Sequence, residues 1–131
     1  MNLLGKKVLV TGGNSGIGLG IAQELNKASA TGFIVGRNRE TLESAQKSLS
    51  ENFQPLECDV TDNAQLTSLF EHTSGKLDVL VVNAGGAIGS GSMQPLETFD
   101  EESYDKMAAL NLRSVFFTVQ KALPYLNEGD S

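Results

Sequence analysis

The sequence predicts an α/β fold: a parallel sheet with helices on both faces, incomplete at about four strands. Three observations predict it. Short apolar runs alternate with amphipathic segments in the order β-α-β-α-β-α-β-α, and such alternation implies right-handed crossovers between parallel strands. The first apolar run, Val8-Leu9-Val10, ends in a glycine-dense turn from which a helical pattern starts at once. No internal repeat or low-complexity linker divides the chain, so residues 1–131 read as one domain or part of one.

Each element has its own justification. Val8–Val10, with Lys7, reads as a buried strand. Ile17, Ile21, Ala22 and Leu25 recur at helical spacing and predict a helix over about 16–28. Gly32-Phe33-Ile34-Val35-Gly36 is the second strand. Asn38 is a good N-cap for a second helix with Leu42, Ala45 and Leu49 on one face. Leu56-Glu57-Cys58 predicts a short third strand with Pro55 at its start, which suits a sheet edge because proline donates no ladder hydrogen bond. Thr61 or Asp62 caps a third helix with Leu66, Leu69 and Phe70 inward. Asp62 and Gln65 have capping-box spacing. Leu77–Val82 is the fourth and most apolar strand. A Gly- and Ser-rich loop follows, from Asn83 to about Pro95, long enough to mark it as functional or mobile. Asp100 caps a final long helix whose apolar side is read as Met107, Leu110, Val115, Phe116, Val119, Ala122 and Leu123.

Composition bounds the function. Of 131 residues, 40% are apolar and 20% charged, ordinary for a globular domain. No apolar run is long enough to span a bilayer, and the N-terminus lacks the order of a signal peptide. The net charge of −6 argues against nucleic acid and anionic membrane surfaces. The charge is uneven: residues 1–50 hold six Lys/Arg against three Asp/Glu, and residues 51–131 hold four against thirteen. The glycine turn thus lies in the basic half, as an anionic ligand favours, although a solvated acidic face explains the second half equally. One cysteine, Cys58, forms no internal disulfide, so a cytoplasmic setting is expected. It reads as a small buried thiol. The single histidine, His72, has no ligand cluster around it, and no metal site is predicted.

The turn carries the chemistry. Thr11-Gly12-Gly13-Asn14-Ser15-Gly16-Ile17-Gly18 lets a backbone approach a diphosphate closely while helix-start amides face its charge. It does not have strict G-x-G-x-x-G spacing. It is neither a P-loop, lacking Gly-Lys-Ser/Thr, nor a Gly-x-Ser-x-Gly elbow. Nineteen residues past Gly18 stands Arg37, followed by Asn38. An acidic residue at this distance grips the ribose 2′-hydroxyl of NAD, whereas arginine suits the 2′-phosphate of NADP. The competing reading of Arg37 is an ordinary surface arginine. NADP(H) is therefore the expected cofactor, in preference to NAD(H).

With these residues in view, the chain resembles the first half of a short-chain dehydrogenase/reductase, which has a Rossmann-type doubly wound parallel sheet. Four matches in order carry the resemblance. The Thr11–Gly18 turn resembles the family's cofactor loop, with Gly12, Asn14, Ser15, Gly16, Ile17 and Gly18 as contacts. Asp59-Val60 resembles its adenine-contacting pair. Asn83-Ala84-Gly85 resembles its Asn-Ala-Gly signature, which steadies the central sheet and lines the cofactor site. Asn111 resembles the helical asparagine of its catalytic tetrad, implying a part in holding a relay water. Asp59 also reads as a turn former, and Asn111 as a buried amide satisfying irregular backbone.

The resemblance also defines what the chain lacks. The family's reaction moves hydride between a nicotinamide and a carbonyl or alcohol carbon, and needs a Tyr-x-x-x-Lys pair and a serine on the fifth strand. Here Tyr104 and Tyr125 are followed four residues later by Ala108 and Gly129. A tyrosine without its lysine keeps a pKa near 10, poorly matched to neutral proton transfer. The chain alone is expected to be inactive, with the fifth strand placed after Ser131 and Leu77–Val82 left as an open apolar edge. Two other readings stay open: a free-standing NADP-binding module, and an interaction module that pairs through that edge. The final helix also resembles the one that assembles family oligomers, so a homo-oligomer is among the expected partners. The identity of the small carbonyl or alcohol substrate is not legible.

Overall fold

The computed structural model describes residues 1–73, 75–86 and 94–129. Four strands, β1 (Lys7–Thr11), β2 (Thr31–Gly36), β3 (Phe53–Glu57) and β4 (Val79–Val82), form one parallel sheet in the order β3-β2-β1-β4. The helices are α1 (Gly16–Lys27), α2 (Arg39–Gln46), α3 (Asn63–His72), α4 (Glu101–Ala108) and α5 (Ser114–Ala122). A π-helical segment, Ala109–Arg113, joins α4 to α5. This is the expected Rossmann-type doubly wound arrangement. The chain winds outward from β1 through β2 to β3, then returns to β4 on the other side of β1. That reversal opens a crevice beyond the C-terminal ends of β1 and β4.

Alternation along the strands splits the core in two. Val8, Val10, Ile34 and Phe53 pack with Ala22 and Leu25 of α1 and Leu42 and Ala45 of α2. Leu9, Phe33 and Val35 pack with Leu66, Leu69 and Phe70 of α3 and with Leu110 and Ala122. Residues one apart on a strand face opposite sides, so each central strand feeds both cores.

The helix starts follow the predicted capping chemistry, with one change. Asn38 accepts from the Thr41 amide at 3.0 Å, and Asp62 accepts from Ala64 and Gln65 at 2.9 and 3.2 Å. Asp100 accepts from Ser103 at 2.7 Å. Gln65 does not return to the backbone amide of its own cap. Its carbonyl oxygen accepts from the Asp59 amide at 2.8 Å, so it steadies the β3–α3 turn instead.

Four expectations are corrected. β3 is longer than Leu56–Cys58 and holds Pro55 in its middle, opposite Ile34. The proline is tolerated because β3 pairs only with β2. Ile17 is not inward: it is 77% exposed at the start of α1. Phe116, Val119 and Leu123 are also exposed, and the stripe of α5 turned to the core is Ser114, Thr118 and Ala122, continuing from Leu110. Small residues let the helix approach closely, and the Ser114 hydroxyl is satisfied by the Leu110 carbonyl, so burying it costs little. Finally, the outer edge is not open along the whole of Leu77–Val82. Leu126 bridges Leu77 in parallel: the Leu77 amide donates to the Tyr125 carbonyl at 2.6 Å and the Asn127 amide to the Leu77 carbonyl at 2.8 Å. Most of the predicted loop, residues 87–93, lies outside the described residues.

Asp78 ties three segments at the foot of the sheet. Its carboxylate accepts from the Lys7 amide and from the Asn127 side chain, each at 2.8 Å. The Lys7 amide, then the Asn127 amide, hold its pKa below the usual carboxylate value. A depressed folded pKa contributes stability that is fully present above the unfolded value of about 3.9 and lost as pH falls below it. Asp78→Asn should therefore unfold at lower urea than the wild type at pH 7. The gap should narrow below about pH 4; an unchanged gap would contradict this account.

Candidate cofactor site

The crevice is a cavity of about 440 Å³. Its floor is the glycine turn. Gly12 (φ +65°) and Gly16 (φ +53°) both lie in the left-handed region that a side chain disfavours. Gly18 is needed for a different reason: a Cβ there would stand 2.1 Å from the Gly12 carbonyl oxygen. The start of α1 rests directly on the end of β1, and only a hydrogen fits between them. Unlike α2, α3 and α4, α1 has no side-chain cap; Ser15 is its N-cap but its hydroxyl makes no capping bond. The opening amides of α1 are thus left for a ligand, with the helix dipole behind them.

The end of β4 forms the second wall. Thr11, fully buried, accepts through its hydroxyl from the amides of Asn83 at 3.0 Å and Ala84 at 3.1 Å. The Asn83 side chain reaches the Gly12 carbonyl at 3.5 Å. These contacts press Asn83-Ala84 against the turn. Behind them, the Asn111 side chain clamps Gly86 on both sides: its oxygen accepts from the Gly86 amide and its nitrogen donates to the Gly86 carbonyl, each at 2.9 Å. The same nitrogen donates to the Met107 carbonyl at 3.1 Å. The clamp sits inside the π-helical segment, where the ordinary i to i−4 ladder is broken and a backbone carbonyl needs another partner.

The third wall follows β2. Arg37 and Asn38 line the cavity, and both are exposed. Among the described residues Arg37 makes no ion pair, whereas its neighbour Arg39 is paired with Glu57 at 3.2 Å. Of these two arginines, Arg37 is the one unpaired among the described residues.

Most of the predicted site residues converge here: Gly12, Asn14, Ser15, Gly16, Ile17, Arg37, Asn38, Val60, Asn83, Ala84 and Gly85 line the cavity. The exposure of Ile17 is explained by its place at the mouth. Gly18 lies beneath the turn. Two residues are elsewhere. The Asp59 carboxylate turns back to Thr61, accepting from its amide at 2.9 Å and its hydroxyl at 2.7 Å, which is the turn-forming role. Asn111 lies behind the wall rather than in it. Sequence reasoning placed Thr11 in the turn without a role of its own, and missed Gly36 and Cys58 as lining residues. Thr11 is a lone polar residue ending an apolar strand, a signal that could have found it. Cys58, 2% exposed, lines the cavity beside Val60. Burial, then the charges of Asp59 and Asp62, push its thiol up to about 11, so it stays protonated at neutral pH. Neither tyrosine lines the cavity: Tyr104 is 64% exposed on α4, and Tyr125 stacks on Phe70 with centroids 6.1 Å apart.

Comparison with known proteins agrees with this geometry. Residues 6–131 match the family model described as short chain dehydrogenase. The chain belongs to the short-chain dehydrogenase family. It is 36% identical to the rhamnolipids biosynthesis 3-oxoacyl-[acyl-carrier-protein] reductase of Pseudomonas aeruginosa, over 99% of this chain and 51% of that protein. It is 35% identical to oxidoreductase asL5 of Sarocladium schorii, over 95% of this chain and 49% of that one. Among solved structures, short-chain type dehydrogenase/reductases from Mycobacterium ulcerans and Mycobacterium marinum superpose with TM-scores of 0.83 and 0.86 at 29% and 27% identity. Each superposition covers 95% of this chain, and 48% and 51% of those chains respectively. The chain thus spans about half the length of the relatives it matches. Family membership implies a nicotinamide dinucleotide, and the uncapped α1 start, the bare glycine turn and the unpaired Arg37 fit one.

The Thr11 hydroxyl gives a direct test of how the site is held. Thr11→Val keeps the shape but strands two amide donors, and should cost about 1–3 kcal/mol for each one left without a partner. Thr11→Ser should recover most of that loss in urea unfolding.

Proposed function

We propose that this chain is the NADP(H)-binding part of an oxidoreductase that transfers hydride between the nicotinamide and a small carbonyl or alcohol substrate. The observation that carries the cofactor preference is Arg37, at the β2 end and without an ion pair among the described residues. A guanidinium there stabilises a 2′-phosphate through charge-assisted hydrogen bonds and stacks on adenine. Gly12, Ser15, Gly16 and Ile17 bind the diphosphate at the α1 start. Val60 borders the adenine side, and Asn83, Ala84 and Gly85 the nicotinamide side. The chemistry such a cofactor supplies is hydride transfer. The chain's own residues bind, orient and exclude water. Asn111 acts by holding Gly86 and, through it, the wall after β4.

Turnover is not expected from this chain alone. No Tyr-x-x-x-Lys occurs in it, and neither tyrosine borders the cavity. A second reading, a binding or interaction module completed by a partner strand, rests on β4, which ends the sheet order with no strand on its outer side among the described residues; Leu126 and Asn127 cover only the Leu77 end.

Calorimetric titration decides the main reading. The chain should bind NADPH more tightly than NADH, and NADPH at 100 times its Kd should add about 2.7 kcal/mol of stability. Arg37→Glu should weaken NADPH about tenfold or more while leaving NADH unweakened or tighter, because the charge-assisted bond to the 2′-phosphate is lost and an acidic residue there accepts from the ribose 2′-hydroxyl of NADH. Equal affinity for the two in the wild type would overturn the NADP preference.

A further inference from the structure

A polar relay in the cleft wall joins the two loops that the cofactor reading treats separately. Asn14, in the glycine turn, donates through its side-chain nitrogen to the Thr41 hydroxyl at 2.8 Å. That hydroxyl donates in turn to the Asn38 carbonyl at 3.0 Å. Thr41 lies in the first turn of α2, outside the cavity lining. Gly36 makes the relay possible, since a Cβ there would stand 2.7 Å from the Asn14 amide. Asn14 therefore lies across Gly36, immediately before Arg37 in the chain.

The direction of the relay follows from the Thr41 hydroxyl donating to the Asn38 carbonyl, which also accepts from the Leu42 amide at 3.1 Å. A threonine hydroxyl has one hydrogen, and here it is committed to the Asn38 carbonyl. Whatever faces the hydroxyl from the other side must donate, so Asn14 presents nitrogen, not oxygen. One amide hydrogen of Asn14 is used on Thr41, and a second is left for a ligand in the cleft. The Arg37 end of the cleft is then furnished with donors: a guanidinium and an amide N–H. A phosphate is welcome there. An amide turned the other way would set an oxygen against it.

We propose that Thr41 is a positioning residue that sets the preference of this cleft for a 2′-phosphorylated adenosine. It does so by fixing which way the Asn14 amide faces, with the nitrogen on Thr41 and its second hydrogen left unused at the cleft wall, without touching the ligand itself. The inference rests on the dinucleotide reading given above and deepens it.

The test uses two small probes, adenosine 2′,5′-bisphosphate and adenosine 5′-monophosphate, titrated into the 131-residue chain. Thr41→Val keeps the side-chain shape and the backbone cap from the Thr41 amide to Asn38, but removes the acceptor for Asn14. It should raise the Kd of the bisphosphate about tenfold or more, the scale of one charge-assisted hydrogen bond, and leave that of the monophosphate within about twofold. Thr41→Ser should restore the bisphosphate to within about twofold of wild type. Thr41→Ala repeats the test should valine crowd α2. Equal weakening of both probes, no weakening of either, or no rescue by serine overturns the proposal. If the wild-type chain binds neither probe, the dinucleotide reading itself falls, and the role of Thr41 with it. If it binds both and Thr41→Val matches it, only the role of Thr41 falls.

Discussion

The cleft depends on a junction between the C-terminal ends of β1 and β4. One buried hydroxyl, on Thr11, takes the amides of Asn83 and Ala84. One missing side chain, at Gly18, lets α1 rest on the Gly12 carbonyl. The floor of the cleft and the wall after β4 are positioned from these two contacts. The hydroxyl binds the far wall to the near one, and the glycine brings the amides of α1 to the floor. Any widening of either contact would separate the α1 side of the cavity from the β4 side.

Much of this was legible in the sequence because the relevant signals are local. Asn38, Asp62 and Asp100 cap helices through side chains acting within three residues of themselves. The glycine turn announces itself by composition, and Arg37 by its distance from it. What was not legible is set by contacts between distant segments. Phe116, Val119 and Leu123 look like a core stripe on periodicity alone, yet Ser114 and Thr118 take the inner face. Apolarity does not reveal that a hydroxyl can be satisfied by a carbonyl one turn back. Pro55 marks an edge strand correctly but not its extent, because the length of β3 is set by the partner it finds in β2. Thr41 belongs to the same class: nothing in its sequence neighbourhood shows that it meets Asn14.

Asn111 shows how a residue's place in the sequence and its contacts can point to different roles. Its place resembles that of the family's helical asparagine. Its side chain, however, is occupied by the Gly86 and Met107 backbone. Such a fully used amide serves geometry first. It explains why the helix departs from regular winding there: the π-helical turn carries the amide to the strand end, and Ser114 closes the gap left behind by bonding the Leu110 carbonyl.

The sheet order has a consequence for how the chain folds. β2 and β3 join β1 through consecutive crossovers, but β4 must close a loop whose ends, Thr11 and Asn83, are 72 residues apart. Closing it costs more chain entropy than either earlier pairing. The β1–β2–β3 layer should therefore assemble first, and the crevice should appear only in the last step of the pathway. A molecule bridging both walls would then act as a latch, slowing escape from the native state far more than hastening entry to it. Pulse-labelled hydrogen exchange finding Val79–Val82 protected ahead of β3 would contradict that order of events.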